Sequence, residues 1–191
     1  MQLYGFASFD ELLAFHCAPV LTGMKPSNII SLQLEDAGEL ESLLPKYNQA
    51  FAARGLVFRR LCGCRKRMLL FIYDPEQLKA ILQDRGYRSY LIAAGYEQQA
   101  DLEADLQQLE QHLANSAAFP HEIGVFLGYP LEDILGFVLN KGTGYKYSGY
   151  WRVYGDVPKA RKIFAAYEQG RDFILKKLAE GLPLAAAAAA Y

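Results

Sequence analysis

A chain of 191 residues that is 52% hydrophobic and 21% charged can bury a real core, and its composition excludes an intrinsically disordered protein. The formal net charge of −1 excludes the strong bulk attraction to nucleic acid or anionic membrane that a basic protein has. No segment reaches the roughly 18 to 20 uncharged apolar residues needed to cross a bilayer, and the opening MQLYGFASFDELL has neither a basic leader nor a long apolar run.

Ser8, with Glu11 three residues on, has capping-box spacing. Phe9, Leu12, Leu13, His16 and Cys17 continue at helical intervals to Pro19, where the helix is expected to end. Thr22 to Ser27 is loop chemistry, and Ile29, Ile30, Leu32 and Leu34 predict a strand over 28–34. Leu40, Leu43, Leu44, Tyr47 and Phe51 form a helical stripe ended by Gly55, with Pro45 either kinking that helix or marking its start. The runs 56–61 and 68–73 both read as strands and predict an antiparallel hairpin, joined by Cys62-Gly-Cys-Arg-Lys-Arg. Asp74 and Pro75 open a helix through Leu78, Ile81 and Leu82, and 87–94 makes a short one closed by Gly95. Over 97–115, Leu102, Leu106, Leu109 and Leu113 form an amphipathic stripe.

The stretch 119–156 concentrates the unusual chemistry, with the one Trp, five of the Tyr and seven of the Gly. It predicts a short helix after Pro120, a break at Tyr129-Pro130, and a helix with Glu132 and Asp133 in its first turn. That helix stops at Asn140-Lys141-Gly142. Aromatic and polar residues then alternate over 145–154, which predicts a strand with a bulge at Gly149. A last helix follows Asp156, burying Ala160, Ile163, Phe164, Tyr167, Ile174, Leu175 and Leu178. The end, Leu184 and six alanines before Tyr191, is a low-complexity tail that would be a marginal helix in isolation. The expected architecture is α+β: one domain over 1–181 with an Ala-rich tail, 182–191. Its small, mainly antiparallel sheet has about four strands, from 28–34, the 56–73 hairpin and 145–154, covered by six to eight helices.

Three stretches stand out together: HCAPVLTGMKPSN from His16, FPHEIGVFLGYPLED from Phe119, and GYWRVYGD from Gly149. Their order and spacing resemble a bacterial family known only as a domain of unknown function, over about Leu12 to Lys177. Family members carry Thr where this chain has Val20 and Ala where it has Thr22, which argues against an essential hydroxyl at position 20. The resemblance implies a single cytoplasmic domain and supplies no activity, ligand or catalytic residue.

Among candidate chemistry, His16, Cys17, His121 and Glu122 form the sharpest constellation. A thiol-dependent enzyme would use Cys17 as nucleophile and His121 as base. The plainer reading makes Cys17 a small core residue, because the negative end of a helix raises a thiol pKa. The two adjacent pairs are not spaced like a zinc motif, so no metal site is expected. Cys62 and Cys64 would share a strand face, as a redox pair or simply packed. Arg59, Arg60, Arg65, Lys66 and Arg67 place positive charge at the hairpin tip, but a solvated turn fits a slightly acidic chain better than a nucleic-acid contact. Tyr145, Tyr147, Tyr150, Trp151 and Tyr154 lie among glycines that leave room for a ligand cleft.

The leading expectation is therefore a cytoplasmic small-ligand-binding or regulatory module with one pocket built from the HCAP, FPHE and GYWRVYGD motifs. Its candidate residues are His16, Lys25, Asn28, Glu122, Tyr147, Tyr150, Trp151 and Tyr154, with His121 beside them. The odd count of three Cys agrees with a reducing compartment. The alternatives are the Cys17–His121 enzyme and an interaction module using the 97–115 helix. The sequence specifies no cofactor and leaves the oligomeric state open; no membrane partner is expected, and nucleic acid is disfavoured.

Overall fold

The computed structural model describes residues 5–33, 36–64, 67–115 and 119–191, the side chains of 62–64 and 67 excepted. The chain divides into two compact units, one formed by Met1–Pro75 with Gln169–Tyr191, the other by Glu76–Glu168. The architecture is α+β, with a three-stranded and a two-stranded antiparallel sheet.

In the first unit, α1 (Phe9–Leu21) opens on the expected Ser8 cap, with the Glu11 carboxylate reaching one residue past the amide that a capping box uses. Ser8 Oγ accepts from Glu11 N at 3.1 Å, and the Glu11 carboxylate accepts from Ala7 N at 2.6 Å. Pro19 does not end this helix: a proline φ is helical, and the lost hydrogen bond and the crowding of the preceding turn are tolerated here; α1 runs two residues further. It closes in paired bonds, Met24 N to Pro19 O at 2.8 Å and Gly23 N to Val20 O at 3.1 Å, with Gly23 at φ +79°. Lys25 N also donates to Pro19 O, at 3.0 Å, so the following loop is pinned to the helix end.

Three strands follow: β1 (Ser27–Gln33), β2 (Val57–Cys64) and β3 (Arg67–Tyr73), in the order β1-β3-β2. The expected hairpin and first strand are both present, with Ile30 opposite Leu70 and Phe58 opposite Ile72. Central β3 is buried at every residue from Met68 to Tyr73, on both faces, which is why it reads as an unbroken apolar run. Between β1 and β2, α2 (Ala37–Ala50) passes through Pro45 unbroken and gives way to a short 3-10 turn, Ala52–Arg54. Leu12, Leu13, Leu32, Phe58, Leu70 and Ile72 form the core with Ile174. The Ala-rich end is a helix, α9 (Leu184–Ala189), whose Leu184, Ala187 and Ala188 are buried in that same core. Burial, rather than alanine propensity, sustains so short a helix.

The second unit holds α3 (Pro75–Gln83) from Glu76 on, α4 (Arg85–Ala93), α5 (Leu102–Asn115), α6 (Ile123–Phe126) and α7 (Leu131–Leu139). The 23-residue α8 (Val157–Ala179) begins here and ends in the first unit. Arg88 ties the helices together, donating to both carboxylate oxygens of buried Asp105 at 2.9 and 2.5 Å and to the carbonyls of Leu82 and Glu97. Residues 145–154 differ from the single strand expected of them. They form a separate hairpin of two-residue strands, β4 (Tyr147–Ser148) and β5 (Arg152–Val153), turned at Gly149 to Trp151. The alternation is real on each side, but Gly149 marks a reversal rather than a bulge; a Cβ there would lie 2.3 Å from the Phe164 ring. Among the described residues, no helix is long and apolar enough to cross a membrane.

Candidate functional site

The second unit is organised around Asp133. A charge in a buried position must be compensated by hydrogen bonds, and this carboxylate, 3% exposed, accepts three. Trp151 Nε1 donates to Oδ2 at 2.7 Å, while Tyr154 N and Gly155 N donate to Oδ1 at 2.7 and 2.8 Å. The first turn of α7 is thereby joined to the aromatic hairpin. One turn further along α7, Gly136 lets the Tyr154 side chain lie against the helix, since a Cβ there would sit 2.5 Å from Tyr154 Cβ. Trp151 is held on its other sides by Tyr129, stacked at 5.2 Å, and by Phe164, edge-on at 4.4 Å.

Beside this joint lies a cavity of about 510 Å³, within the usual size range of small-molecule sites. Its inner wall is Ile123, Gly124, Ile134, Trp151 and Asp133, all buried. Tyr129 and Phe137 flank it, and the exposed lining residues Phe119, His121 and Arg152 mark its mouth. The His121 ring meets Phe137 edge-on at 5.3 Å. The Arg152 guanidinium lies over the Phe137 and Tyr145 rings at 5.6 and 5.2 Å and donates to the Gly142 carbonyl. That carbonyl is presented by the end of α7, where Gly142 N bonds back to Phe137 O at 2.8 Å.

Of the residues singled out in the sequence, the cavity takes His121 and Trp151. Glu122, next in sequence to His121, is buried elsewhere and pairs with His112 Nδ1 at 2.5 Å, while His112 Nε2 meets the Gln108 amide at 2.9 Å. Tyr147 and Tyr150 line a shallower cleft of about 240 Å³ with Phe164 and Glu168. The Tyr154 hydroxyl is buried with no hydrogen-bond partner among the described residues.

His16, Cys17, Lys25 and Asn28 belong to the first unit and form a cluster of their own. Lys25 Nζ donates to Asn28 Oδ1 at 3.0 Å, and Asn28 Nδ2 donates to the His16 carbonyl at 2.8 Å and to Cys17 Sγ at 3.4 Å. Burial pushes the Cys17 thiol up to about 12 and the Lys25 ammonium down to about 8. Partial burial also lowers the His16 pKa. The tip residues Arg65 and Lys66, and the side chains of Cys62, Cys64 and Arg67, lie outside what the structure describes. Arg60 faces Glu41 at 3.2 Å. Among the described residues, no three His, Cys, Asp or Glu side chains gather as a metal site.

Sequence reasoning missed Asp133, Arg152 and the His112–Glu122 pair. Asp133 has a signal in hindsight, an acid at helical position three with a Trp, Tyr and Gly cluster downstream; the other two have none, because they depend on tertiary approach alone.

The second unit thus defines an α+β protein with a preformed aromatic cavity. The chain belongs to the family described as "Protein of unknown function (DUF3793)", which matches residues 13–187. A family of unknown function is what the three motifs implied. No curated protein and no solved structure matches the chain.

Proposed function

We propose that this chain is a cytoplasmic small-ligand-binding or regulatory module whose ligand enters the cavity of the second unit. The observation that carries the reading is a roomy, mostly apolar hollow, with its floor fixed by Asp133 and its mouth bearing two polar side chains, His121 and Arg152. The free thiol of Cys17 accords with a reducing compartment. Because Trp151 is the only Trp and lines the cavity, its emission reports occupancy directly. The test is native mass spectrometry of the purified full chain for a co-purifying small molecule, followed by a fragment screen read by Trp151 emission and thermal shift. A bound compound that stabilises the chain and perturbs Trp151 supports the reading; stabilising compounds that leave Trp151 untouched refute it.

The two alternatives draw less support. A nucleophilic Cys17 would need exposure and a lowered pKa, and the thiol is fully buried with a raised one. An interaction surface on α5 would need an uncovered apolar stripe, and Leu106, Leu109 and Leu113 are buried.

A further inference from the structure

We infer that the cavity takes a planar aromatic acid, its ring system inside against Trp151 and Tyr129 and its anionic group at the mouth against Arg152. This rests on the binding role proposed above. The inner wall offers aromatic and aliphatic carbons, and its one charged group, Asp133, already accepts three hydrogen bonds and repels a second anion. The charged end of a ligand therefore belongs at the mouth, and the group waiting there is cationic.

Arg152 is placed for that task. A guanidinium carries five N–H donors and stays charged at any working pH. Among the described residues its hydrogen bonding is confined to the Gly142 carbonyl, and no carboxylate pairs with it. Arg88, in the same unit, has Asp105 across both its terminal nitrogens. The rings of Phe137 and Tyr145 lie beside the Arg152 guanidinium and hold it at the rim while leaving its other donors unused. His121 lines the same cavity and carries a ring N–H that offers a second contact to a carboxylate, sulfonate or phosphate.

A matched pair of probes tests this in the full chain: 8-anilinonaphthalene-1-sulfonate and the neutral N-phenyl-1-naphthylamine, the same ring system without the sulfonate. Binding is read by energy transfer from Trp151. In R152Q, the anionic probe should bind about tenfold more weakly while the neutral one changes less than about twofold, as the loss of one charge-assisted contact predicts. R152K, which keeps the charge, should recover most of the anionic probe's affinity. Far-UV circular dichroism and the Trp151 emission of the ligand-free variants establish that they are folded. Equal weakening of both probes, or no change in either, overturns the anion assignment while leaving the cavity as a binding site. Failure of both probes to draw energy from Trp151 in the unaltered chain overturns the assignment together with the binding role itself.

Discussion

Replacing Asp133 by Asn should loosen the second unit far more than a one-atom change suggests. The carboxylate accepts from the Trp151 indole and from two backbone amides while 3% exposed. An amide of the same shape keeps one acceptor oxygen. If that oxygen stays with Tyr154 N and Gly155 N, the new NH2 faces the indole N–H, and two donors confront each other in a buried place. An unsatisfied buried donor costs about 1–3 kcal/mol, and the two remaining bonds lose their ionic strengthening, so about 2–4 kcal/mol is expected. Asp133→Ala strands all three donors, for roughly 3–6 kcal/mol. Either figure is a large part of the about 5–15 kcal/mol that holds a typical domain. The assay is urea unfolding followed by Trp151 emission and by far-UV circular dichroism. D133N should shift the midpoint down and the emission to longer wavelength as the indole loses its partner. A double-mutant cycle with W151F, read by circular dichroism, should return a coupling of about 1 kcal/mol or more. A D133N protein within about 0.5 kcal/mol of the parent, with unshifted emission, refutes this account of the joint.

Other consequences follow from the same contacts. Gly136→Ala should destabilise by about 1–3 kcal/mol, because its Cβ would meet the stiff base of the Tyr154 side chain at 2.5 Å. Gly155→Ala, by contrast, should cost under about 1 kcal/mol in the same urea assay, since the atoms nearest its Cβ are the movable carboxylate end of exposed Glu132. In a C62S/C64S background, Cys17 should resist iodoacetamide at neutral pH and label only as urea unfolds the chain, given a buried thiol pushed up to about 12; native labelling at the rate of a free thiol contradicts this. Lys25 has a folded pKa of about 8, below the unfolded value near 10.4, so the unfolded chain binds more protons between those pH values and stability rises with pH across that window. The buried Cys17 thiol acts in the opposite sense, so the clean measure is the parent minus K25M. That difference should grow by up to about 3 kcal/mol from pH 8 to pH 10, and a flat difference rejects the lowered pKa.

The helices and the 57–73 hairpin were legible because each has a local cause: a Ser8 cap, a Gly at the end, an alternating or continuous apolar run. Pro19 and Pro45 misled only about ends and kinks, since a proline forbids one hydrogen bond without forbidding a helix. The 145–154 run was harder. A period of two describes both a long strand and two short ones about a glycine, and the deciding fact, the Phe164 ring against Gly149, lies fifteen residues away. The same limit applies to the site. Trp151 and His121 drew notice by residue type, yet Asp133 looked like an acid placed for its own helix dipole, and Arg152 like a polar spacer between aromatics. Their roles come from what approaches them in three dimensions. His112 sits among the Glu and Gln of an outer helix face, and nothing local says that its Nδ1 meets Glu122.

The arrangement also explains why the cavity can be open without being slack. A hairpin of two-residue strands has too few ladder bonds to hold its own shape. Here the indole, two amides and one ring of the 151–155 segment are all fixed to a single helical turn, through Asp133 and through the space left by Gly136. The segment therefore borrows the rigidity of α7, and the protein's own contacts fix Trp151 in the cavity wall. A wall ordered in advance removes an entropic cost from association, so affinity does not have to be recovered from extra contacts. For the binding role proposed above, affinity would then depend as much on Asp133, whose three hydrogen bonds go to Trp151, Tyr154 and Gly155, as on the side chains a ligand would touch.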